Sequence, residues 1–124
     1  NFTNKIWNAA RFISMANRST HAKGDKEFHK HLREVVKTLT RQLDQLKIGL
    51  AAETVYNEFW HWFCDKAIEK NKTGEISLKA LTEGLQTFLK LLHPFMPFVT
   101  EEISGKLGNK EELLSTSHWP STNN

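Results

Sequence analysis

The sequence predicts an all-α protein, an antiparallel helical bundle of about five helices. Three observations carry this. Apolar residues recur at three- and four-residue steps along most of the chain, the spacing of one helix face. No apolar–polar alternation runs beyond a few positions, so strands have no signature. The stretch from Leu85 to Ile103, LQTFLKLLHPFMPFVTEEI, is a helix, a proline corner and a second helix start, too apolar to stand alone in water. At 124 residues the chain is read as one domain, with 109–124 as a tail packing on the bundle.

Residues 2–18 form the first predicted helix, with Phe2, Ile6, Ala9 and Ile13 on one face. A polar link, 19–24, leads to Asp25 as N-cap. The second helix runs to about 46. Its core stripe is Phe28, Leu32, Val35, Leu39, Leu43 and Leu46, and its outer row is Lys30, Arg33, Lys37 and Arg41. A third helix spans about 50–71, with Ala52, Val55, Tyr56, Phe59, Phe63 and Ala67 inward and Trp60, Trp62 and Cys64 widening the apolar arc. Such an arc implies burial between several partners. After a turn at 70–75, Ser77 caps the fourth helix, whose stripe is Leu78, Leu81, Leu85, Phe88, Leu89 and Leu92. His93-Pro94 stops it, because proline disfavours helix at the preceding residue and lacks an amide hydrogen. Pro97 suits the first position of the fifth helix, which carries Val99, Ile103 and Leu107. Phe95, Met96 and Phe98 are expected to fill the corner. Leu113, Leu114 and Trp119-Pro120 are expected to fold back onto the bundle.

Charge is unevenly placed. Residues 1–50 hold ten Lys/Arg against four Asp/Glu, and residues 51–124 hold seven against ten. The basic half suits an anion such as a nucleic-acid backbone, or is a solvated lysine-rich surface. The single cysteine, Cys64, excludes an internal disulfide and a thiolate zinc cluster, and fits a reducing compartment. No signal-peptide pattern and no apolar run long enough to span a membrane is read in these residues. The start at Asn1 suggests a piece of a longer protein. His29 and His31, two apart, face different ways, and His61 with Cys64 has no further ligands at fitting spacing, so no metal is expected. His93 reads as a hydrogen-bonding residue. There is no phosphate loop, nucleophile elbow or paired-carboxylate cleft, so no catalytic residue is assigned.

One surface strip has binding chemistry. Lys5, Asn8 and Phe12 share a helix side and bring a cation, an amide and a ring together. An unstacked base suits such a strip: the ring stacks, the amide reads an edge and the lysine meets the backbone. The alternative places Phe12 in the core with two polar groups at its rim.

Longer motifs carry a resemblance. NFTNKIWNAARF (1–12) resembles the N-F-x-N-K-[LI]-W-N-[AS]-[AST]-R-F segment of the class I valyl-tRNA synthetases. LLHPFMPFVTEEI (91–103) is similar to the LLHPFMPFITEEIW signature shared with the leucine and isoleucine enzymes, and VYNEFWHWFCDKAIE (55–69) to their xLYxFxWxEFCDWYLE helix. LLSTSHWP (113–120) matches where the family closes its bundle. The resemblance covers nearly the whole chain in order.

It implies the anticodon-binding domain of a class Ia synthetase, with the anticodon loop of tRNA(Val) as partner. Carried over, Lys5 meets the loop, Phe12 stacks on an anticodon base and Ile68 gives an apolar contact, with Asn8, Arg11 and Glu69 close by. The family's HIGH and KMSKS signatures do not occur in these residues. Aminoacylation with ATP and Mg is therefore expected of a catalytic domain elsewhere in the parent, a valine–tRNA ligase, and this domain needs no cofactor. A cytoplasmic, monomeric unit is implied, with that catalytic domain as its second partner. Four positions depart from the family pattern: Glu27, Lys66 and Ala67 replace aromatics, and Ser104 stands for Trp. They leave two alternatives open: the equivalent isoleucyl or leucyl domain, or a helical protein-interaction module derived from one.

Overall fold

The computed structural model describes residues 1–16, 18–107 and 118–120. Among them there is no strand, and the architecture is the expected all-α bundle. Helix α1 is Phe2–Met15, opened by the Asn1 side chain, which accepts from the Asn4 amide. Helix α2 is Asp25–Asp44. The segments Ile48–Asn57, Glu58–Ala67 and Ile68–Lys72 run on without a break as one long helix, α3. Helix α4 is Leu78–Leu92 and α5 is Pro97–Lys106, with its proline in the first turn. The last two helices match their sequence reading closely, because serine, proline and the His-Pro stop act locally.

Helix α4 is the axis of the core. Leu81, Leu85, Phe88, Leu89, Leu91 and Leu92 are all buried, and α1, α2, α3 and α5 each pack against it. Phe59 and Phe63 of α3 meet Phe88 at ring separations of 5.4 Å. Gly84 makes this approach possible. A Cβ there would lie 2.6 Å from Phe28 Cζ and 2.9 Å from Phe63 Cε1.

The middle of α3 is wound more widely than an α-helix, with i→i+5 hydrogen bonds such as Ile68 N–H to Phe63 O. Its buried row, Ala51, Val55, Phe59, Phe63 and Ala67, steps by four throughout. At 3.6 residues per turn such a row drifts about 40° per step. More than four residues per turn drifts it the other way. The change of winding at Glu58 therefore keeps one row against α4 along the whole helix.

The lower end is closed by polar contacts. Asp25 is the first residue of α2 rather than its N-cap, which is Gly24. Its carboxylate instead accepts from the Ser77 amide (2.8 Å), the Ser77 hydroxyl (2.7 Å) and the Ala22 amide (3.1 Å). The same Ser77 hydroxyl accepts from Ala80 N–H and caps α4 as expected. Ser19 accepts from Leu78 N–H, and Gly24 N–H donates to Glu75 O. At the upper end, Thr100 directs its hydroxyl proton toward the Met96 and Pro97 carbonyls. That leaves the His93 Nδ1–H to donate to Thr100 Oγ1 at 2.9 Å, the hydrogen-bonding role expected of His93.

Several boundaries and facings differ from the sequence reading. Helix α1 stops at Met15, three residues early, where the chain turns extended at Ala16. Leu46 is not in the α2 stripe: it has φ 60° and is 82% exposed, the turn residue that reverses the chain into α3. Ala51 rather than Ala52 faces the core, and Tyr56 is exposed, its ring stacked on Phe2. Phe98 is 89% exposed, while Phe95 and Met96 do pack on the core. The Trp119 indole donates to Thr40 Oγ1 of α2 at 2.8 Å. Leu113 and Leu114 lie outside the described residues.

Candidate nucleic-acid interface

Helix α1 buries Ile6, Ala9, Ala10 and Ile13, which turns Lys5, Asn8 and Phe12 toward its seam with α3. The two helices run parallel here. Lys5 lies beside Trp60 and Asp65, and Phe12, two turns on, lies beside Lys72. The Lys5 ammonium sits 5.0 Å over the Trp60 ring and 3.4 Å from Asp65 Oδ1. The other carboxylate oxygen of Asp65 is 3.6 Å from His61 Nδ1. The half-buried Phe12 ring has Lys72 Nζ 5.5 Å from its centre, and Lys72 is held by Glu69 at 2.9 Å.

Asn8 and Arg11 are exposed between these ends. With Phe12, Met15 and Ala16 they line a shallow groove of about 300 Å³. Arg11 has no carboxylate partner among the described residues and also borders a second groove, of about 430 Å³, against Ile103 and Lys106 of α5 and the following Leu107. The strip thus offers a ring, an amide, a free guanidinium and two lysines already matched by carboxylates. Stacking of a base and contacts to its edges are within its means.

Five of the six sequence-derived positions, Lys5, Asn8, Arg11, Phe12 and Glu69, come together on this flank. Ile68 does not. It is 7% exposed and packs in the core cluster, because the wide turn of α3 rotates it inward with Ala67. Three neighbours escaped the sequence reading: Asp65, Lys72 and Trp60. Their signal was present in outline, since His61, Asp65, Glu69 and Lys72 recur at four-, four- and three-residue steps on one face. What was missing was which helix that face meets.

Cys64 lies under the strip. Burial pushes its thiol up to about 12, with Lys5 lowering and Asp65 raising it further, so the group is a neutral thiol. No cluster of three or more metal-ligating side chains occurs among the described residues. His29 reaches Glu83 of α4 while His31 reaches Glu58 of α3, the different facings expected. Three of the four departures from the family pattern, Glu27, Lys66 and Ala67, line a single cleft of about 310 Å³ with Phe28, His31 and Trp62. That cleft shares no residue with the strip. Ser104 is buried in α5.

A five-helix bundle with an aromatic, amide and cation strip on one flank is the build of a helical nucleic-acid-recognition domain. Residues 25–124 match the family described as the anticodon-binding domain of tRNA ligase, and the chain belongs to that family. It is 37% identical to a valine--tRNA ligase of Clostridium tetani over 97% of its length, and 39% identical to one of Thermotoga maritima over 96%. A valine--tRNA ligase of Staphylococcus carnosus is 38% identical over 97% of the chain. The chain spans 16%, 15% and 16% of these relatives respectively. No described helix is long and apolar enough to cross a membrane.

Proposed function

We propose that this chain binds the anticodon stem-loop of tRNA(Val) as the anticodon-recognition domain of a valyl-tRNA synthetase. The observation that carries the reading is the strip on α1, where the half-buried Phe12 ring stands beside exposed Asn8 and Arg11. A half-buried ring at a groove with polar neighbours suits a splayed base, whereas a duplex would call for an open cationic face. The valine--tRNA ligases named above support valine over isoleucine or leucine. In this reading aminoacylation, with its ATP and Mg, belongs to a catalytic domain of the parent outside these residues. The domain supplies recognition and no chemistry, as a monomeric unit of a cytoplasmic enzyme. The separation of Glu27, Lys66 and Ala67 from the strip supports an intact reading surface.

The test is titration of labelled anticodon stem-loops with the chain and with Phe12→Ala. Loss of the ring removes about 1–3 kcal/mol of stacking. The expected result is tighter binding of the tRNA(Val) loop than of loops with a changed second base, and weakening by Phe12→Ala. Equal affinity of the two proteins for the native loop overturns this use of the strip.

A further inference from the structure

The contact between Lys5 and Asp65 is unusual for a site meant to hold phosphate. A carboxylate beside the lysine repels a phosphate group, and a phosphate diester brings no hydrogen for the carboxylate to accept. The contact is also long. Its 3.4 Å exceeds the 2.7–2.9 Å of a tight charged hydrogen bond, as does the 3.6 Å from Asp65 to His61. Asp65 keeps 46% of its side chain exposed, so its lone pairs remain open to a ligand. The Lys5 ammonium is held from below by the Trp60 face. The pair therefore presents one donor and one acceptor side by side, the pattern complementary to the edge of a base.

We infer that Lys5 and Asp65 read the edge of one unstacked base, with Asp65 accepting its exocyclic amino group, next to the base that stacks on Phe12. This rests on the tRNA-binding reading above. Lys5 and Phe12 are seven residues apart on α1, about 10 Å along the helix, too far to serve one base. Two neighbouring splayed bases fit that span. Valine codons begin with GU, so the second and third anticodon bases are adenine and cytosine. On the pairing edge of each, the exocyclic amino group is the sole N–H donor. Carboxylate acceptance from such an amino group is an established mode of base recognition.

The experiment compares the chain with Asp65→Ala and Asp65→Asn on three stem-loops. One is native, one carries purine riboside at the second anticodon base, and one carries 2-pyrimidinone riboside at the third; the latter two lack the amino group. The wild-type chain is expected to lose about 5- to 150-fold in affinity when the amino group is deleted at one of the two positions. Asp65→Ala is expected to bind the native loop that much more weakly and to be indifferent to the same deletion. The salt dependence should not become shallower, because every phosphate remains engaged. Asp65→Asn keeps the size of the side chain and separates loss of charge from loss of shape. Tighter binding of every loop by Asp65→Ala overturns the inference, since Asp65 then only shields Lys5. An equal deletion penalty in wild type and Asp65→Ala overturns it too. Phe12→Ala run in parallel distinguishes the two levels. If it weakens binding while Asp65 shows no coupling, only the edge-reading role fails; if it has no effect, the use of the strip itself fails.

Discussion

Asp25 ties three elements together through one carboxylate: the link before α2, the start of α2 and the cap of α4. Burial alone would push this carboxyl up. The Ser77 amide and hydroxyl, the Ala22 amide and the charge at His29 outweigh that and hold it below the usual carboxylate range. A depressed carboxyl stabilises the fold fully above its unfolded value of about 3.9, and that stabilisation is lost as pH falls through the folded value. Asp25→Asn is therefore expected to cost about 1.5–3 kcal/mol at pH 7, the range for hydrogen bonds to a charged group. The gap from wild type should narrow as pH drops from 5 toward 3. Urea midpoints for both proteins at pH 7, 5 and 3 check this, and a constant gap would assign the effect to shape instead of charge. The sequence showed Asp25 as a residue that begins a helix, and it does stand there. It did not show that the carboxylate serves a different helix, because Ser77 lies 52 positions away and only the fold brings it near. Phe12 and Ile68 divide in the same manner. Their helices were legible, but how far each was turned toward solvent depended on the neighbouring helix and on the wide winding of α3.

At the scale of elements, the crossing of α2, α3 and α4 depends on the missing side chain of Gly84. Glycine in a helix interior ordinarily costs about 1 kcal/mol against alanine, so an exposed site would gain from the exchange. Here the added methyl meets two ring edges inside 3.0 Å. Phe28 is stacked on Trp62 and Phe63 packs on Phe59 and Phe88, so neither ring has room to retreat. Gly84→Ala is expected to destabilise the chain by about 1–3 kcal/mol, the range for overpacking, despite its better helix propensity. Thermal unfolding of the variant decides the sign, and a raised midpoint would mean that the rings yield. Periodicity made all five helices legible, since each buries a face that repeats every three or four residues. It could not reveal the change of winding in α3. A row that steps strictly by four is what exposes it afterwards, as no α-helix keeps such a row on one partner for 17 residues. Leu46 misled the α2 stripe because it continues the helical spacing past the last residue the helix contains.

For the whole molecule, the two basic features of the N-terminal half lie on different helices. Helices α1 and α2 both pack on α3 and α4. On the α1 strip Asp65 and Glu69 match Lys5 and Lys72, which leaves Arg11 as its one unmatched cation among the described residues. The α2 row is largely unmatched. Lys30, Arg33 and Arg41 have no carboxylate partner among the described residues, and Lys37 meets Glu34 only at 3.8 Å. Over Lys30 to Arg41 the row extends about 16 Å, a length that attracts any polyanion without reading it. The summed charge of the first 50 residues thus spoke for phosphate attraction, while the proposed base reading belongs to the strip where both lysines are matched by carboxylates. The two contributions separate experimentally. Lys30→Glu with Arg41→Glu should weaken binding of all stem-loops by a similar factor and make the salt dependence shallower by about one unit for each phosphate no longer neutralised. It should leave the ratio between native and base-changed loops unaltered. Phe12→Ala should do the reverse, reducing that ratio while the salt slope stays constant. Parallel titrations at about 50 and 200 mM salt, a range over which phosphate-driven binding changes steeply, measure both quantities. If the charge reversal on α2 alters the ratio between loops, the row reads sequence, and the flank of α1 is not the sole place where specificity resides.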